Sequence, residues 1–206
     1  MQNNSSIDLF SHKSTNWDAK SRRVENAKKI ADAISKNIDL NKKMHILDFG
    51  AGTGLLSYFI SEKVKKITAI DNSPSMLKVL REKQKDFFCP IEIIEMDITK
   101  EDNIHNLKFD GIISSMTIHH IEDIKKLFKI FYQILDRDGF IALADLDKED
   151  GSFHSDNRGV FHFGFNRETL NKISQDIGFK MITFETVNEI NKPHKKFPIF
   201  LMIAFK

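Results

Sequence analysis

The chain has 206 residues, 41% of them hydrophobic, and its 31 Lys and Arg stand against 29 Asp and Glu for a formal net charge of +2. That is enough chain to bury a core without disulfides or metals, so one domain over 1–206 is expected. The balanced charge lacks the basic field of a general nucleic-acid binder. A lone cysteine, Cys89, has no internal disulfide partner and reads as a small half-buried hydrophobe beside Pro90. No apolar run approaches membrane-spanning length, and the first residues lack a charged start followed by an apolar stretch, so a cytoplasmic protein without a membrane partner is expected.

Residues 1–20 are polar and irregular yet contain Phe10, Trp17 and Asp18, which marks an arm that something holds down. From Arg22, apolar Val24, Ala27, Ile30, Ala31 and Ile34 recur at helical spacing and stop near Asn37. Short apolar runs then alternate with helical patterns: strand 44–49, helix from Leu55, strand 67–70, helix from Pro74, strand 91–96, strand 111–114, helix 122–135 and strand 140–146. Such alternation predicts an α/β fold, a parallel sheet covered by helices on both faces.

Residues 147–166 form a long connection rich in His and Phe, a length that usually carries function. A helix over 167–177 follows, with Gly178 as its stop. Strands 181–187 and 199–205, joined by 188–198, predict an antiparallel hairpin at one side of the sheet.

The segment Asp48-Phe49-Gly50-Ala51-Gly52-Thr53-Gly54 lies where the first strand ends and a helix begins. Glycines there let the backbone turn sharply and approach a ligand closely. A dinucleotide fingerprint would place its third glycine at Leu55, and Asp48 would crowd a pyrophosphate with like charge. A carboxylate at that strand tip suits a ligand bearing an ammonium group instead.

These residues resemble motif I of the class I S-adenosylmethionine-dependent methyltransferases, of the small-molecule, type 11/12-like kind, and the resemblance runs from the leading helix to the last strand. It implies a Rossmann-like, doubly wound sheet of seven mostly parallel strands with the antiparallel hairpin at its end, and S-adenosyl-L-methionine as cofactor. It further implies that Gly50, Ala51, Gly52 and Thr53 form the cofactor loop. Asp71, followed by Asn72, takes the place of the residue that holds the ribose hydroxyls. Met76 looks like the apolar residue near the adenine, or equally an ordinary core residue. Asp97, flanked by Met96 and Ile98, resembles the acceptor for the adenine amino group, and Ser114 and Ser115 would lie beside the methionine end. Trp17 and Asp18 resemble an arm that folds over the cofactor as a lid, though Trp17 equally serves to pin the arm to the core.

The expected function is methyl transfer to a small-molecule acceptor by in-line displacement, in a monomer or homodimer. His120 stands in a segment similar to the family's motif IV, with a pocket role placed ahead of proton transfer. His154 and His162 are candidates for touching the acceptor, or are solvated loop histidines. Phe153, Phe161, Phe163 and Phe165 offer aromatic surface to a planar acceptor, while the alternation of the last three also fits a half-buried strand. Asp145, Asp147, His154, Asp156 and His162 were they to converge could ligate a metal, but no compact ligand spacing appears, and no metal is expected. Competing expectations are a cofactor-binding protein without activity and, with less support, an RNA or protein methyltransferase. A nicotinamide enzyme is disfavoured by Asp48 and Leu55.

Overall fold

The computed structural model describes residues 21–100, 107–193 and 195–206. The expected arm and lid over 1–20, with Trp17 and Asp18, lie outside the described residues.

The leading helix α1 (Ser21–Asn37) buries Ala27, Ile30, Ala31 and Ile34, the stripe its spacing predicts. The chain then lays down β1 (His45–Phe49), α2 (Leu55–Ser61), β2 (Lys66–Asp71), α3 (Pro74–Lys83), β3 (Ile91–Glu95) and β4 (Phe109–Ser115). It continues through α4 (Ile124–Ile134), β5 (Leu135–Leu146), α5 (Arg167–Ile177), β6 (Lys180–Lys192) and β7 (Lys195–Phe205). The seven strands order as β3-β2-β1-β4-β5-β7-β6. Neighbours from β3 through β5 pair in parallel, and β7 runs antiparallel between β5 and β6.

Helix ends follow local chemistry. Ser73 Oγ accepts from Met76 N at 3.3 Å with Pro74 at the first helical position, and Asn166 Oδ1 accepts from Thr169 N at 2.9 Å. Gly178 ends α5 in the left-handed region at φ 118°, as its position predicts.

Two apolar layers sandwich the sheet. One joins Leu47, Ile112, Leu143 and Phe200 to Leu127, Phe131 and Leu170 from α4 and α5; the other joins Ile46, Ile67, Ile113 and Leu201 to Ile30, Ile34, Leu56 and Leu80 from α1, α2 and α3. Alternate residues of each strand therefore serve opposite layers, the period-2 rule applied to a sheet buried on both faces.

Three boundaries differ from expectation. Helix α4 is shorter at both ends, because Asp123 caps it through Oδ1 to Lys126 N at 2.8 Å and Leu135 already pairs with Phe109. The segment 188–198 is mostly strand: β6 continues to Lys192 and β7 begins at Lys195. Proline is tolerated at 198 because β7 has there run past the end of β5, whose pairing stops at Leu146 with Ile199. The alternation of Phe161, Phe163 and Phe165 is not a strand: Phe161 and Phe163 are exposed, and only Phe165 is buried, on an isolated bridge to Asp147.

Among the described residues, no helix is long and apolar enough to cross a membrane.

Candidate functional site

After β1 the chain moves to β2 and β3 on one side; with β4 it returns to β1's other edge and moves outward to β5. The helices leaving β1 and β4 diverge at this switch point, and a crevice opens beyond the C-terminal ends of the strands. A cavity of about 610 Å³ lies there, within the range of small-molecule sites.

The loop after β1 forms its floor. Gly50 N and Ala51 N both donate to Ile70 O, at 2.8 and 3.0 Å, which bends the backbone toward β2. Gly50 has φ +66°, and a Cβ built on it would stand 2.1 Å from Thr117 Cγ2, so the turn and its close approach to the segment after β4 both require glycine. Thr117 Oγ1 donates toward Gly50 O at 3.2 Å and sits 3.1 Å from Ser115 O, tying the two strand ends together. Gly52, at φ +55°, is different: a Cβ there would meet nothing within 4 Å, so its backbone lies open to a ligand.

Asp71 ends β2 with its carboxylate held by backbone: Oδ2 accepts from Gly52 N and Oδ1 from Ser73 N, both at 2.8 Å. The carboxylate is thereby held in a fixed direction on the cavity lining. Asp97, beyond β3, accepts from Thr99 N and Thr99 Oγ1 through Oδ1 and pairs with Lys100 Nζ at 2.8 Å through Oδ2. Burial pulls its pKa up, but the bonds from Lys100 and Thr99 outweigh that and hold it below the usual carboxylate value.

Of the residues expected to bind cofactor, Gly50, Gly52, Asp71, Asn72, Met76, Met96, Asp97 and Ile98 line this cavity. Asp48, Ala51, Thr53 and Ser114 are not among its lining residues. Asp48 is buried, accepts from Ser57 Oγ at 2.6 Å, and has its pKa raised to about 7 by burial, with Asp71 adding like charge and Ser57 opposing. Ser114 Oγ donates to Phe49 O at 2.7 Å, clipping β4 to the end of β1. Both support the floor from behind, which a motif on its own cannot distinguish from contact with ligand. Phe161, one of the aromatic residues offered to an acceptor, lines the cavity; Thr117 and Lys126 line it too, and nothing in their spacing announced it.

The opposite wall comes from the segment after β4 and the 147–166 connection. Met116 takes φ +57°, costly for a side chain without local compensation, and the single turn Ile118–His120 follows. His120 lines the cavity, its Nδ1 2.6 Å from Gly159 O. His162 lies outside it, pinned through Nε2 at 2.9 Å from Ile121 O and 3.2 Å from Glu122 O. His154 is also off the cavity lining but lies against His119 and His120, with ring centroids 5.0 and 5.8 Å apart. Burial, then the neighbouring His119, His120 and Lys192, push the His154 pKa down to about 4.

The five acidic and histidine residues that could have ligated a metal by converging do not converge as a set. Asp147 is bound bidentately by Arg167 (2.7 and 2.6 Å), Asp156 pairs with Arg158, and Asp145 with His119. Cys89 is half-buried, with its thiol pKa raised by burial, consistent with an inert side chain.

Residues 46–139 match the model of a methyltransferase domain. The malonyl-[acyl-carrier protein] O-methyltransferase of Acetivibrio thermocellus is 32% identical over 139 residues, which are 66% of this chain and 47% of that protein. The chain spans about half the length of the first curated relatives it matches. Among solved structures, a Haloferax volcanii methyltransferase in complex with the Trm112 methyltransferase activator superposes with TM-score 0.76 at 14% identity, covering 98% of this chain and 99% of that one. Phosphoethanolamine N-methyltransferase 2 of Haemonchus contortus, solved with phosphomonomethylethanolamine and S-adenosylhomocysteine, superposes with TM-score 0.68 at 18% identity, covering 85% and 52%. These two likenesses establish the fold.

Proposed function

We propose that this chain, whose residues 46–139 match a methyltransferase domain, works as a class I S-adenosylmethionine-dependent methyltransferase and transfers a methyl group from S-adenosylmethionine to a small-molecule acceptor. The observation that carries this reading is Asp71: a carboxylate fixed by two backbone N–H groups on the cavity lining, beside the open backbone of Gly52 in a cavity of about 610 Å³.

The residues fit the cofactor. Asp71 accepts from vicinal hydroxyls, Asp97 from an exocyclic amino group, and Met76, Met96 and Ile98 offer the apolar surface an adenine needs. When bound, S-adenosylmethionine supplies a methyl group already activated on a sulfonium. What the protein must add is alignment and a dry site. The cavity wall away from β2 and β3, made by Thr117, His120, Ile121, Gly159 and Phe161, is the acceptor end in this reading. Gly159 O holds the His120 ring in place, so His120 acts as a positioning residue of that wall. The phosphoethanolamine N-methyltransferase named among the relatives, 31% identical over 123 residues, supports a small acceptor.

The test is calorimetric titration with S-adenosylhomocysteine and then with a nicotinamide dinucleotide, followed by methyl transfer across a panel of small acceptors. Saturable binding of the first ligand alone, with turnover on a panel member, is expected. Binding of the dinucleotide alone would overturn the cofactor assignment. Cofactor binding with no turnover on any small acceptor would overturn the transferase reading in favour of a binding protein.

A further inference from the structure

Beside the acceptor wall, three imidazoles meet that sequence spacing did not bring together. His119 and His120 share the turn after β4, and His154 is delivered by the connection after β5. One ligand atom from each lies within 4.8 Å of the others.

The protonation pattern follows from the partners. The His119 ring is buried, 1% exposed, with Nδ1 2.7 Å from Asp145 Oδ1. A carboxylate accepts, so Nδ1 is the donor, and the lone pair of the neutral ring falls on Nε2. Asp145 is itself fixed, accepting from His119 N at 3.2 Å and Leu146 N at 2.7 Å. A carbonyl also only accepts, so His120 donates from Nδ1 to Gly159 O. Metal-binding histidines show this arrangement, the second nitrogen held by a carboxylate or a backbone carbonyl.

Two ring nitrogens in the group, His119 Nε2 and His154 Nδ1, are buried with no hydrogen-bond partner. Leaving a buried polar atom without a partner is destabilising, yet the fold builds a mount for one of them. Glu149 Oε2 accepts from the amides of Gly151, Ser152 and Phe153 at 2.8–3.2 Å, and Phe153 packs edge-on against Phe197 at 5.3 Å. The turn that presents His154 is thereby held in place.

We propose that His119, His120 and His154 form a site for one divalent transition-metal ion of the zinc type, with its open position toward the acceptor end of the cavity. Imidazole suits zinc and its neighbours, and three protein ligands with a fourth position free is the arrangement of a catalytic rather than a structural zinc. His120 belongs both to this group and to the cavity wall. Zinc–nitrogen bonds of 2.0–2.1 Å set tetrahedral ligand atoms about 3.4 Å apart, so closure from 4.8 Å requires side-chain rotation, which half-buried His154 can supply. The site stands on its own geometry; only its role toward an acceptor bearing a metal-ligating oxygen, sulfur or nitrogen rests on the methyltransferase reading.

The experiment uses the untagged chain, stripped with a chelator and titrated with Zn²⁺ by calorimetry and with Co²⁺ by visible absorption. One ion per chain and a tetrahedral Co²⁺ spectrum are expected. Binding is expected to be lost in His154→Gln, weakened about 10–100-fold in Asp145→Asn, and kept in His45→Gln, a histidine at the opposite end of the sheet bonded to Thr68. His154 Nδ1 makes no bond to lose, so that variant folds, and thermal unfolding verifies it. No saturable binding of either ion by the folded wild type, or equal binding by His154→Gln, overturns the proposal. S-adenosylhomocysteine titrated into the same samples separates the two readings: lost cofactor binding with metal binding intact defeats the function and leaves the site.

Discussion

The two walls of the cavity are built on opposite principles. On the β1–β3 side, the carboxylates of Asp71 and Asp97 are pre-oriented by backbone amides, a hydroxyl and a lysine, so they present acceptors in fixed directions. On the β4–β5 side, His120 lines the cavity, and behind it His119 and His154 crowd against it with two buried nitrogens that make no hydrogen bond. The first wall holds its acceptors in place before any ligand arrives, and in the proposed function that geometry selects the cofactor. The second keeps accepting capacity in reserve, at a cost in folding energy, and that reserve has meaning only toward something that binds.

The most severe way to break the contrast is at the contact between the walls. Gly50→Ala forces a Cβ into Thr117 at positive φ, and a loss of about 2–4 kcal/mol in denaturant unfolding is expected. A loss well under that would show that the walls are not rigidly joined.

Next is the pH response of the support behind the first wall. The folded-state pKa of Asp48 stands at about 7, against an ordinary value of 3.8. Between these values the folded chain keeps a proton the unfolded chain has released, so this group's contribution to stability falls as pH rises from about 4 to 7. Asp48→Asn should flatten that part of the profile and unfold at higher temperature than wild type at pH 8, by a margin on the order of 2 kcal/mol. An unaltered pH profile would mean that the carboxylate is not paying for burial.

Asp71→Ala tests the first wall's selectivity directly. Affinity for S-adenosylhomocysteine should fall by about 1–3 kcal/mol, read by calorimetry, because the loop amides lose their anchor as well as the ligand its acceptor. The mildest change is Gly52→Ala, which meets no atom within 4 Å. Its cost should be the positive-φ penalty alone, about 1 kcal/mol in unfolding. A loss as large as that of Gly50→Ala would erase the distinction between a glycine kept for packing and one kept for access.

The first wall could be read from sequence because its parts are local. A glycine at a left-handed turn is demanded by backbone geometry within a few residues, the acids at the strand ends are implied by the family resemblance, and Gly50, Gly52, Asp71 and Asp97 all line the cavity. Which side a motif residue faces was not readable: Asp48 and Ser114 lie in the same stretches and turn out to hold the floor together. The second wall is assembled by the fold. His119 and His154 come from different strand ends, 35 residues apart in sequence, so no compact ligand spacing marks them. Of the phenylalanines in the long connection only Phe161 reaches the cavity, which no period marks. The hairpin is legible but longer than its apolar runs, because an edge strand such as β6 admits polar residues and charges that read as a loop.

The position of β7 has a consequence for how the chain is made. The strand that completes the sheet is the last in order, and it sits between β5 and β6 rather than at the margin. Until residues 195–205 leave the ribosome, the run Phe140–Leu146 has no hydrogen-bonding neighbour on that edge. At 5–20 residues per second, the interval from Leu146 to Phe205 lasts roughly 3–12 s. During that time the nascent domain carries an open apolar strand edge of the kind that recruits chaperones or neighbouring chains, so the insertion of β7 is the step at which synthesis and aggregation compete.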